Sequence, residues 1–170
     1  MNKRSGTHIR DGALLAVFLI VLAVIYHLTG VYGNNYLSYL IYPLIVIAVI
    51  FFCFNYAKRT GNTRFSDVFG YGFKAICVTA LIMVAWNILA SQVIFPEHTT
   101  RLIAERQKEL IEVGVPREEV EQQFSFSKKY FNVLTISSTL FMYAISGIVG
   151  ALLAASLVKK NNAYDQTEIK

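Results

Sequence analysis

PEHTTRLIAERQKELIEVGVPREEVEQQFSFSKKY, residues 96–130, decides how the chain is read. It holds thirteen of the 27 charged residues of a 170-residue chain, yet it lies between segments that are almost wholly apolar. A hydrophobic content of 55% with only 16% charge is too apolar for an ordinary soluble domain. Around the charged stretch stand four runs, residues 12–32, 37–56, 68–95 and 131–158, that reach the roughly 18 to 20 residues needed to cross a bilayer. The pattern predicts an all-α integral membrane protein forming one membrane domain. It has four transmembrane helices and an extramembrane helical hairpin between the third and the fourth.

The hairpin follows from its own residues. On a helical wheel Leu102, Ile103, Leu110 and Val113 fall within about 100°, and Arg101, Glu105, Lys108, Glu109 and Glu112 lie opposite. That apolar arc is a candidate interaction face for a protein partner. Gly114 suits a C-terminal cap, and Pro116 is expected at the first position of a second helix with Val120 and Phe124 on its apolar edge.

Charge sets the expected orientation. Lys3, Arg4, Arg10, Lys58, Arg59, Arg64, Lys74, Lys159, Lys160 and Lys170 face four acids on one side, Asp11, Asp67, Asp165 and Glu168. The other side carries the hairpin's six bases and seven acids. Both termini are therefore expected on the cytoplasmic side of a membrane that the chain crosses several times. The basic residues are short juxtamembrane clusters that anionic lipid attracts, so the bilayer is the expected partner and nucleic acid is not.

Within the runs, Tyr36, Tyr39 and Tyr42 climb one helix face as an interfacial belt, and Ser66 or Asp67 is expected to cap the third helix. The entry Phe69-Gly70-Tyr71-Gly72-Phe73-Lys74, the exit at Pro96, the four spans and the long charged third connection together resemble a bacterial, Bacteroidetes-type family of small membrane proteins. That family is domain of unknown function four-one-nine-nine. The resemblance implies four spans in a bacterial inner membrane, multi-pass with both termini cytoplasmic, and transfers no catalytic residue.

Gly147, Ala151 and Ala155 form a small-residue stripe on the fourth span, with Ser146, Gly150 and Ala154 beside it. Such stripes let helix backbones approach closely. Another span of the same chain is the favoured neighbour, and the same helix of a second copy, a homodimer seam, is the alternative. After Lys160 the polar tail is expected to fray.

Chemistry is sparse. His8, His27 and His98 are scattered singly, Cys53 and Cys77 sit in apolar runs, and no phosphate loop or nucleophile elbow occurs. No metal, no cofactor and no catalytic residue is expected. Asp11 reads as the boundary of the first run, leaving no carboxylate within any span core, which weighs against proton-coupled transport. His27, Asn87, Ser91 and Gln92 are the candidates for a polar pocket, with interhelical hydrogen bonding as their simpler role. The expectation is a non-enzymatic accessory or interaction protein. The alternative is a small transporter or a membrane protein that binds lipid or a small molecule.

Overall fold

The four apolar runs become helices of the length a bilayer demands. The computed structural model describes residues 7–29 and 40–167, and no strand occurs among the described residues. Helix α1 is Thr7–Leu28, α2 is Ile41–Thr60, and α3 is Phe65–Leu89, running on as a π turn over Ala90–Ile94. Helix α4 is Pro96–Glu112, α5 is Arg117–Lys129 and α6 is Phe131–Thr167. Four stretches, Thr7–Leu28, Ile41–Thr60, Phe65–Ile94 and Val133–Val158, hold 22, 20, 30 and 26 residues. At 1.5 Å per residue each reaches the ~30 Å of a hydrocarbon core. This is a multi-pass membrane protein.

Residues 1–83 with 140–170 make one unit, and residues 84–139 another. In the first, α1, α2, most of the α3 span and the second part of α6 run alternately up and down. Leu15, Ala16 and Leu19 of α1 are buried, while Leu14, Val17, Phe18 and Val21 beside them are exposed. A helix apolar on its outer face as well as its inner one is what lipid selects. Lipid is also as apolar as a leucine core, so close packing and polar contacts must hold these helices together.

Glycine supplies the close packing. A side chain on Gly12 would collide with the carbonyl oxygen of Ala75, so α1 crosses directly over the α3 backbone. A Cβ on Gly72 would stand 2.6 Å from Cys53 Sγ and 2.9 Å from Ala151 Cβ, and one on Gly147 would strike Ile76. At Gly150 it would lie 3.0 Å from the Val46 carbonyl oxygen. The stripe of α6, with Ala151 and Ala154 fully buried, thus meets α2 and α3 of its own chain. On α2 the buried residues Ile45, Val49, Cys53 and Ala57 are four apart, one face of the helix.

The second unit contains the hairpin. Helix α4 ends in a Schellman turn: Val115 N–H donates to Leu110 C=O at 3.0 Å and Gly114 N–H to Ile111 C=O at 3.1 Å, with Gly114 at φ +96°. Gly114 is the expected cap. Pro116 stands at the N-cap of α5 rather than inside it, with ψ 136°, because its extended backbone turns the chain before the helix starts. Helices α4 and α5 pack on each other, and Val120 is buried. Upstream, Phe95 N–H donates to Ala90 C=O at 2.7 Å, a five-residue step that widens the end of α3 just before Pro96.

Three further expectations need correction. Helix α1 starts at Thr7, so Asp11 and Gly12 lie inside it rather than at its edge. Helix α3 starts at Phe65, which puts Ser66 and Asp67 in its first turn instead of at the cap; Asp67 there accepts a hydrogen bond from Asn62 Nδ2 at 2.7 Å. The tail does not fray after Lys160, since α6 continues to Thr167 through a stretch with no Gly or Pro to stop it. Tyr36 and Tyr39 lie outside the described residues, and Tyr42 is in α2.

Candidate functional site

The apolar face of α1 ends in a charge. Asp11, Leu15 and Leu19 are four apart and all buried, so the helix turns a carboxylate into the same interior that takes its leucines. Asp11 is 4% exposed. Its Oδ2 accepts from the Tyr71 hydroxyl at 2.6 Å and from Arg59 Nη2 at 3.2 Å. Its Oδ1 accepts from Arg10 Nε at 3.2 Å and Nη2 at 3.1 Å.

These donors come from three helices. Arg59 sits at the end of α2, where its Nε also donates to the Asn55 carbonyl at 3.1 Å. Tyr71 is two turns into α3, its ring stacked on Tyr56 at 4.3 Å and 16°, with His8 edge-on at 6.3 Å and 83°. Two turns deeper along α3, the Thr79 hydroxyl donates to the Gly12 carbonyl at 2.9 Å. A charge, a stacked pair and a hydroxyl therefore tie α1, α2 and α3 at one end of the bundle.

The expectation that no carboxylate lies within a span is overturned by Asp11. A buried acid in a membrane helix is ordinarily a functional candidate. This one, however, has four donors for about four lone-pair positions. With its acceptor capacity filled, Asp11 works as a clamp and has nothing left to offer a ligand.

Beside the clamp is open space. A cleft of about 250 Å³ is lined by His8, Tyr56, Ser66, Asp67, Gly70, Tyr71 and Lys74. Tyr71 belongs to both features, giving its hydroxyl to Asp11 and contributing to the cleft wall. Lys74 is exposed and forms no ion pair among the described residues. Asp67 holds the opposite charge seven residues earlier on the same helix, with one oxygen bonded to Asn62.

The polar candidates fall into both units. His27 is in the first, and Asn87, Ser91 and Gln92 are in the second. Asn87 Nδ2 donates to Thr139 Oγ1 at 3.0 Å, an interhelical bond between the α3 span and α6, and the Ser91 hydroxyl donates to the Ile88 carbonyl of its own helix at 3.1 Å. Of the candidate face on α4, Ile103 and Leu110 are half-buried, Val113 is 83% exposed, and the side chain of Leu102 lies outside the described residues. Cys53 is a buried free thiol 3.6 Å from the Val68 carbonyl oxygen, and Cys77 is an exposed free thiol. No cluster of three metal-binding side chains occurs among the described residues.

Sequence reading missed the Asp11 clamp because the residues that complete it are 48 and 60 positions away. One signal was nonetheless present. Asp11 shares the four-residue period of Leu15 and Leu19.

A family model described as "Protein of unknown function (DUF4199)" covers residues 10–160, and the chain belongs to that family. No curated protein and no solved structure matches the chain.

Proposed function

We propose that this protein is a non-enzymatic accessory component of a bacterial inner membrane, with both termini cytoplasmic, and that it works by contact. The 96–130 hairpin is the contacting part and a protein is its partner. The observation that carries this reading is a set of exposed apolar side chains on helices that are otherwise charged. Val113 is 83% exposed, Phe126 59% and Ile111 39%, all outside the candidate spans. Outside lipid, exposed apolar residues rimmed by charge mark protein contacts.

Orientation rests on the ten basic residues assigned to one side against the near-neutral hairpin. A reporter active only in the periplasm, inserted at Gly114, is expected to be active. Activity there of a cytoplasm-only reporter would reverse the topology.

Photo-crosslinking in native membranes tests the contact. A crosslinker at Val113 or Phe126 is expected to give a discrete protein adduct, and one at Phe51, an exposed residue within the α2 span, is expected to give none. Absence of an adduct from both hairpin positions would remove the reading.

A further inference from the structure

Among the described residues, Gly70 is a glycine without a packing reason. It lies inside α3, in a backbone conformation that any residue adopts, and a Cβ built on it meets nothing within 4 Å. Gly12, Gly72, Gly147 and Gly150 each face a neighbouring helix at contact or closer. Glycine in a helix interior costs about 1 kcal/mol relative to alanine. At the other four positions close packing offsets that cost. At Gly70 nothing among the described residues does, and the position opens onto the cleft.

The lining indicates what approaches the bare backbone. Lys74 brings a cation and Asp67 an anion, so a ligand of single charge would meet repulsion from one of them. The two are seven residues apart on α3, about 10 Å along the axis. Asp67 is in the first turn of the span and Lys74 is two turns deeper. In a phospholipid with an amine headgroup the phosphate is attached on the glycerol side and the amine points to water, the same order of charge along the membrane normal. Stacked tyrosines beside Asp67 add faces that favour a cation. The cleft volume, about 250 Å³, falls below the ~300–1,000 Å³ of sites for drug-sized ligands and suits a headgroup. The wall is firm because Tyr71 is fixed by Asp11 and Tyr56.

We infer that this cleft binds the zwitterionic phosphate-amine headgroup of a membrane lipid, with the phosphate against Lys74 and the amine against Asp67 and the tyrosine rings. Gly70 leaves the backbone bare for the headgroup to lie on. The inference is independent of any partner of the hairpin.

The test uses the full-length protein purified from nanodiscs containing equal phosphatidylethanolamine and phosphatidylglycerol, with retained lipid counted by native mass spectrometry. Wild type is expected to retain the ethanolamine lipid about tenfold over the glycerol lipid. Gly70→Leu adds a side chain whose Cβ meets nothing within 4 Å, so it is expected to fold as wild type and, by narrowing the cleft, lose that preference. Lys74→Gln is expected to weaken retention of both lipids through the lost phosphate contact, and Asp67→Lys to turn the preference toward the anionic lipid. Equal retention of both lipids by wild type, or an unchanged preference in Gly70→Leu, would overturn the proposal. Soluble phosphoethanolamine, added at the concentration of bound lipid, is expected to leave it in place. Displacement would overturn the lipid as the source of the headgroup.

Discussion

Charge does opposite work in the two units. At the end of the bundle Asp11 has a side chain 6% exposed, and it reaches Arg59 and Tyr71 across 48 and 60 residues of sequence. On the hairpin Lys108 and Glu112 pair at 3.8 Å within one helix turn, with side chains 79% and 64% exposed. The first interaction links helices that lipid gives no hydrophobic reason to associate. The second decorates a surface that water already solvates, where such pairs contribute a few tenths of a kcal/mol. Residue type alone therefore says little; what matters is whether a charge closes a tertiary contact.

Substitutions can break this contrast, beginning with the bundle's tightest seam. Gly147→Val places new carbons on Ile76, and overpacking of this kind costs about 3 kcal/mol. Thermal unfolding in detergent is expected to show the lowest midpoint of the series. Next comes Asp11→Ala. Breaking a buried pair costs about 3–5 kcal/mol, but Arg59 and Arg10 are 42% and 63% exposed and regain water, so about 2 kcal/mol is expected. An unfolding midpoint equal to wild type would show that the clamp ties nothing.

The hairpin is expected to respond more weakly. Gly114→Ala forces a side chain into φ +96° and costs about 1 kcal/mol, read as faster hydrogen exchange over residues 110–120 with the bundle unaffected. Glu112→Gln removes only the exposed pair. A loss above about 0.5 kcal/mol would mean the hairpin's charges are not simply solvated.

Much of the architecture was legible because it is local. Apolar length set the four spans, Gly114 with Pro116 set the break between α4 and α5, and the Gly147–Ala151 spacing marked a close seam. Asp11 was not legible in the same way. Placed between Arg10 and Gly12 it looks like the polar edge of a span, and only the start of α1 at Thr7 turns it inward. Tyr71 likewise sits among Phe69 and Phe73 as if it belonged to an interfacial belt. Its hydroxyl finds Asp11 because Gly12 lets α1 come down onto α3. The cleft was hidden for a related reason, since a glycine that packs and a glycine that leaves space look alike until the neighbouring helices are in place.

A double-mutant cycle between Asp11 and Arg59, run beside the same cycle for Lys108 and Glu112, measures the contrast directly. Unfolding of the four variants of each pair in the same detergent gives the two coupling energies. The account predicts about 1–2 kcal/mol for Asp11 with Arg59 and under about 0.5 kcal/mol for Lys108 with Glu112. Equal couplings, or none between Asp11 and Arg59, would contradict it.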